Sequence, residues 1–185
     1  MRKLIIITGD LAAGKSTLAA SLSEELTIPY IIKDTLKEIA CDEIGYSSRE
    51  ENRALSIVAV QDMLYFFKQS ASVGADLIVE ANFREEELNN FKIIAEQHSY
   101  QVLLFVLTGD DRLLYQRFLD RLPNRHIAHK SLNLDWSFER FVDYLNELRN
   151  EDYPFGPHYI DMSDLDEDEV VKEALNIIEE NLWNQ

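Results

Sequence analysis

Between residues 9 and 17 the chain reads Gly9-Asp10-Leu11-Ala12-Ala13-Gly14-Lys15-Ser16-Thr17, two glycines followed by a lysine and two hydroxyl residues. Few local patterns restrict a fold as strongly. The run from Lys3 to Thr8 before it is β-branched and apolar, the character of a strand buried on both faces of a parallel sheet. After it, Leu18, Ala19, Leu22 and Leu26 fall on one helical face, and Pro29 closes the segment. A strand, a glycine-rich turn and a helix in that order are what phosphate binding requires. The glycines allow torsions that turn several N–H groups toward one phosphate, and the helix N-terminus adds partial positive charge. Lys15 is placed to neutralise the terminal phosphates of a nucleoside triphosphate, and Ser16 offers a hydroxyl to Mg²⁺. Gly9 to Thr17 are therefore expected to bind a nucleoside triphosphate with Mg²⁺.

The rest of the chain repeats the alternation. Tyr30 to Ile32, Asp76 to Ala81, Gln101 to Leu107 and Tyr159 to Asp161 are further candidate strands. A long helix is expected before Gly74, with Leu55, Val58, Ala59, Met63 and Phe66 inward. Other helices are expected over Glu85 to His98, from Asp110 to Pro123 with Leu114 and Phe118 inward, and after a cap at Asp135 with Phe138, Phe141, Val142 and Leu145 inward. Val171, Ala174, Leu175, Ile178 and Leu182 mark a closing helix. Five strands alternating with helices predict the α/β class, a parallel sheet covered by helices on both faces. At 185 residues, one domain spanning 1–185 is expected.

Composition narrows the partners. A formal net charge of −16 repels polynucleotide phosphates, so nucleic acid is disfavoured. No apolar run reaches the length of a bilayer span, and the short run Leu4 to Ile7 stops at Thr8-Gly9-Asp10, so no membrane association and a cytoplasmic location are expected. The single cysteine, Cys41, excludes an internal disulfide and is expected to be packed in the interior. Oligomeric state is not legible.

Asp34 follows the second strand at the carboxyl edge of the sheet, where open α/β folds bind ligands. It suits a general base that accepts the proton of an acceptor hydroxyl; the alternative is a helix N-cap. Glu80 sits among apolar strand residues, where Mg²⁺ would compensate its charge, or it turns to solvent. Asn82 and Arg84 lie just beyond that strand and could bind the acceptor or the lid; the alternative is that each is an ordinary loop residue. Arg112, Arg117, Arg121 and Arg125 with His126, His129 and Lys130 form the one basic cluster of the sequence. Arg117 and Arg121, four residues apart, share a helix face and are candidates to stabilise the charge of a migrating phosphoryl group, while Arg125, His126 and His129 are candidates to contact the acceptor. The alternative is pairing with Asp110, Asp111 or Asp120. Arg149, at an outward helix end, is expected to be an ordinary surface cation.

Four segments, Gly9 to Thr17, Ile32-Lys33-Asp34-Thr35-Leu36-Lys37, Leu77-Ile78-Val79-Glu80-Ala81-Asn82-Phe83-Arg84 and Arg117-Phe118-Leu119-Asp120-Arg121 running into Arg125-His126-Ile127-Ala128-His129, resemble in their order the small P-loop kinases. The likeness is to the branch of predicted kinases related to zeta toxins and chloramphenicol phosphotransferases. It implies the P-loop NTPase fold with a five-stranded parallel sheet in order 2-3-1-4-5, ATP as donor, and a small mobile arginine-bearing lid at approximately 110–134. Relatives often have aspartate where this chain has Glu80 and arginine where it has Lys37, and the resemblance implies that Lys37 keeps the charge that holds the acceptor but loses the bidentate fork. The implied reaction is transfer of the γ-phosphate of Mg-ATP to a hydroxyl of a small-molecule acceptor. The other readings are an ATP-binding regulatory module without a free acceptor and a zeta-toxin-like nucleotide-sugar kinase.

Overall fold

The computed structural model describes residues 2–130 and 136–183. The cap expected at Asp135, the end of the lid segment at 131–134, and the side chains of Lys130 and Leu182 lie outside the described residues.

The elements run β1 (Lys3–Gly9), α1 (Lys15–Leu26), β2 (Tyr30–Ile32), α2 (Lys33–Ile44), α3 (Arg49–Val73), β3 (Leu77–Glu80), α4 (Glu85–Gln97), β4 (Gln101–Thr108), α5 (Asp111–Arg121), α6 (Ile127–Lys130), α7 (Phe138–Arg149), β5 (Pro157–Asp161) and α8 (Glu167–Ile178). All five strands pair in parallel in the order β2-β3-β1-β4-β5, the P-loop NTPase arrangement. The expected class and strand order are thus observed.

β1 lies at the centre and every residue from Leu4 to Gly9 is buried, which explains its unbroken apolar run. Its side chains still alternate. Ile5 and Ile7 enter a core built with Leu18, Leu22, Phe118, Phe141, Leu145 and Ile178, whereas Leu4 and Ile6 enter the opposite core with Met63, Phe67, Phe83, Leu88 and Phe91. β4 divides likewise, Phe105 to the first side and Leu104 to the second. The sheet therefore separates two apolar layers, one under α1, α5, α7 and α8 and the other under α3 and α4. Cys41 is buried in a small third cluster with Leu55 and Ala128.

Two expectations are corrected. Val58 and Phe66 of α3 are 48% and 54% exposed, and the inward stripe is Leu55, Ala59, Val60, Met63, Leu64 and Phe67. Over 25 residues of helix two apolar faces compete, and the one continued by Val60, Leu64, Phe67 and Ala71 meets the sheet. The cap of α7 is Ser137, whose hydroxyl accepts from the Arg140 N–H. Among the described residues no helix is long and apolar enough to cross a membrane.

Parallel register fixes what meets at the carboxyl edge. Glu80 stands level with Ile7 on one side and Ile32 on the other, so the ends of β1, β2 and β3 open together. At that edge Gly9 has φ of 118°, and a Cβ there would lie 2.2 Å from the Leu107 carbonyl oxygen. The adjacent Asp10 N–H donates to that same oxygen at 2.8 Å. Gly14 has φ of 82° but open space around its missing Cβ. Gly9→Ala is therefore expected to lower unfolding stability by about 2 kcal/mol or more, combining torsional strain with a backbone clash, and Gly14→Ala by only about 1 kcal/mol. Urea denaturation of both variants measures the difference, and equal losses would show that the Leu107 contact is unimportant.

Candidate active site

The glycine-rich loop, residues 9 to 14, leads directly into α1, whose first residue is Lys15. Ala12 and Gly14 both have positive φ, the torsions that let a loop turn its amides inward. Lys15 is 6% exposed, and its ammonium donates to the Asp10 carbonyl at 2.6 Å and the Gly9 carbonyl at 3.3 Å. Burial pulls its pKa down, and Glu80, Asp34 and Asp10 pull it back up. The cation is thus bent over the loop onto two backbone carbonyls, within the electrostatic influence of three carboxylates.

Ser16 Oγ donates to Glu80 Oε2 at 2.9 Å. Glu80 is 5% exposed, and burial raises its pKa against the opposing influence of Lys15 and the Ser16 hydrogen bond. The solvent-facing alternative for Glu80 is therefore not observed. No described group of three or more His, Cys, Asp or Glu side chains could hold a metal ion. A hydroxyl and a carboxylate in contact fit Mg²⁺ all the same, because that ion takes few protein oxygens and completes its shell with water and nucleotide phosphates.

Asp34 is the second residue of α2 and makes no capping bond; the residue before the helix is Ile32. The capping alternative is thus not what the structure has. Burial would raise the Asp34 pKa, but His129, Lys33, Arg125 and Lys15 outweigh it and hold the carboxyl below its ordinary range. His129 lies 3.0 Å from Glu38 and 3.9 Å from Asp34. Burial lowers its pKa, with the Asp34 carboxylate opposing. His126 contacts Asp42 at 3.0 Å.

Three cavities surround these groups. The first, of about 380 Å³, lies beside Gly14 and Thr17 and is walled by Leu165, Val170 and Val171. A second, of about 650 Å³, holds Ser16, Asp34, Arg125, His126 and His129. The third, of about 710 Å³, continues past Asp34 to Lys37, Asn82 and Arg84. Arg121 borders the first and second, whereas Arg117 borders only the first, where its guanidinium meets Met162 Sδ at 2.9 Å. Four-residue spacing puts both arginines on one face of α5 but does not bring both to one point. Among the described residues none of Arg112, Arg117 and Arg121 forms an ion pair with Asp110, Asp111 or Asp120; Asp111 pairs instead with Arg149, and Asp120 accepts from Gln116. Three other expected acceptor residues have structural partners as well. Lys37 is 2% exposed and donates to Asn52, Asn82 donates to the Gly9 carbonyl at 2.7 Å, and Arg84 pairs with Glu151 at 2.7 Å.

A family model for the AAA domain matches residues 5–136, the span that contains the loop, Asp34 and Glu80. The chain belongs to the AAA domain family. No curated protein sequence matches it significantly. Among solved structures, this AAA domain is similar to a presumed kinase from Chloroflexus aurantiacus, at 25% identity and a TM-score of 0.77, covering 95% of this chain and 97% of that one. It also resembles a gluconokinase from Sinorhizobium meliloti, at 18% identity, TM-score 0.61 and coverage of 100% and 97%. An APS kinase from Mycobacterium tuberculosis in complex with AMPPNP and APS gives 14% identity, TM-score 0.63 and coverage of 96% and 98%. The last two likenesses concern the fold.

One residue of this AAA domain departs from its sequence-based reading. Arg149 is not an ordinary surface cation: its guanidinium donates to the Asp10 carboxylate at 2.6 Å, to Asp111 at 2.8 Å and to the Gly109 carbonyl at 3.0 Å. The reason is Asp10, which is wholly buried, so that its charge must be met by a cation reaching in. Burial raises the Asp10 pKa and Arg149 opposes the rise. The only signal in the sequence was an aspartate inside the glycine loop beside a buried strand. Arg149→Ala is expected to lower stability by about 3 kcal/mol, the low end for a broken buried pair because the arginine itself is partly exposed. Adding Asp10→Asn should recover part of the loss. Guanidinium unfolding of the single and double variants measures both effects, and a neutral Arg149→Ala would show that water replaces the arginine.

Proposed function

We propose that this protein is a small-molecule kinase that moves the γ-phosphate of Mg-ATP to a hydroxyl of an acceptor bound beside Asp34. The observation that carries the reading is that two cavities at the end of the phosphate loop share Arg121, and the second is lined also by Ser16, which bonds Glu80, and by Asp34, whose charge acts on the buried Lys15. Kinases among the structurally similar proteins support the same class, and the order of the four sequence segments is what points to a branch near zeta toxins and chloramphenicol phosphotransferases. Within it the nucleobase occupies the apolar cavity by Val170 and Val171, and the acceptor enters from the side of His126 and His129.

The residues divide the work. Amides of the loop and Lys15 hold the phosphates, so that little motion is needed as charge develops on the γ-phosphoryl oxygens. Mg²⁺, held by Ser16 and through water by Glu80, would neutralise phosphate charge. Asp34, kept ionised by His129, Lys33, Arg125 and Lys15, accepts the acceptor hydroxyl proton as its oxygen attacks phosphorus and the bond to the ADP oxygen breaks. Arg121, bordering both cavities, is the cation best placed for the migrating group; Arg117 belongs to the nucleotide side. Of the expected lid, the described part that follows α5, from the short turn Leu122–Asn124 to α6, would serve to exclude water.

Lys15→Ala is expected to remain folded and lose ATP affinity in calorimetry; unchanged affinity would overturn the phosphate site. Asp34→Asn should bind ATP normally and transfer phosphate about 10²-fold more slowly or worse. Because an ionised base is the active form, the acid limb of the wild-type rate should fall below the ordinary carboxylate range and vanish in Asp34→Asn. Arg121→Ala should lower kcat by about 10³-fold with little change in ATP binding, and Arg117→Ala should act mainly on ATP binding. Acceptor-stimulated ADP release across sugars, nucleosides, aminoglycosides, amphenicols and nucleotide sugars provides the assay. Tight ATP binding with no stimulation by any acceptor would favour a regulatory module.

A further inference from the structure

Seven lysines and arginines line the third cavity against four carboxylates, in a chain that has 18 of the former and 34 of the latter. The cavity thus reverses the sign of the surrounding protein. Some of these cations are occupied, Arg84 by Glu151 and Lys37 by Asn52. Arg49, Arg53 and Arg140 are different. Each is exposed at the cavity, and none is paired with a carboxylate among the described residues. Arg140 rests its guanidinium over the Trp136 ring at 5.5 Å, a contact that leaves its N–H edge open.

Their positions cannot be explained by helix stability. Arg49 is the first residue of α3 and Arg53 the next residue on the same face, while Arg140 is the third residue of α7. Cations near a helix N-terminus oppose the helix dipole and are mildly destabilising there. Two helices nevertheless present arginines from their opening turns to one 710 Å³ space that also contains Lys33 and Asp34. Planar forks arriving from two directions match the oxygens of a phosphate group.

We propose that the third cavity binds a phosphate monoester group of the acceptor, so that the substrate is a phosphorylated small molecule whose free hydroxyl lies at Asp34. Arg49, Arg53 and Arg140 grip the phosphate, Lys33 adds charge between it and Asp34, and the wall of Tyr144 and Trp136 takes the body of the molecule. This rests on the phosphotransfer reading, and the experiment separates the two. Protein loaded with Mg²⁺ and AMPPNP, so that the glycine loop is filled and no turnover is needed, is titrated with ribose 5-phosphate, ribose and glucuronate in a calorimeter. Ribose 5-phosphate is expected to bind at least about tenfold more tightly than ribose, and Arg49→Ala, Arg53→Ala and Arg140→Ala each to weaken it about tenfold while AMPPNP affinity and melting temperature hold. Equal binding of ribose and ribose 5-phosphate, or indifference to all three substitutions, overturns the proposal; so does preference for glucuronate, which would make the cavity a carboxylate site. Phosphate binding that persists where no phosphorylated compound stimulates ADP release supports the cavity assignment and counts against phosphotransfer alone.

Discussion

The pairing of Asp10 with Arg149 is the interaction on which the glycine loop depends. Asp10 is buried at the point where β1 passes into the loop, and a carboxylate in that environment is tolerated only with a partner. Arg149 supplies it from α7 and at the same time takes the Gly109 carbonyl and Asp111, tying the loop to the start of α5. Lys15 then donates to the carbonyls of Gly9 and Asp10, and Asn82 donates to the carbonyl of Gly9. Side chains from three parts of the chain thus fix Gly9 and Asp10, the root of the loop.

Much of this architecture was written locally. The apolar run of β1, the two glycines and the helix after them state strand, loop and helix in sequence, and parallel pairing then follows from the alternation of strands and helices. Glu80 was legible because a charge in an apolar strand demands compensation, and Ser16 supplies it at 2.9 Å. What escaped depended on distance along the chain. Arg149 lies 139 residues from Asp10, and nothing around Arg149 marks it as inward. Arg49, Arg53 and Arg140 sit among acidic neighbours such as Glu50, Glu51 and Glu139, so they read as ordinary helix surface until folding brings α3 and α7 to one cavity. Helical facing failed in α3 for a different reason: both faces carry large apolar residues, and only packing decides between Phe66 and Phe67.

The electrostatics of the site run against the whole. The protein carries a large negative charge, yet its third cavity concentrates arginine and lysine. Acidic surroundings repel polyanions that approach broadly, while a recessed basic space accepts a small anion that fits. Asp34 sits within that space and stays ionised because His129, Lys33, Arg125 and Lys15 surround it.

Helix α7 touches both halves of the site. Its first turn carries Arg140 and its middle carries Tyr144, both on the third cavity, and its last residue is Arg149, which grips the root of the glycine loop. Nine residues of helix make a stiff rod of about 14 Å between the two ends. A rod held at one end by an ion pair cannot tilt toward a ligand at the other without loading that pair. Under the proposed function, in which the glycine loop holds ATP and the third cavity holds the acceptor, binding of either is expected to alter the binding energy of the other by the same amount, with a single helix as the link.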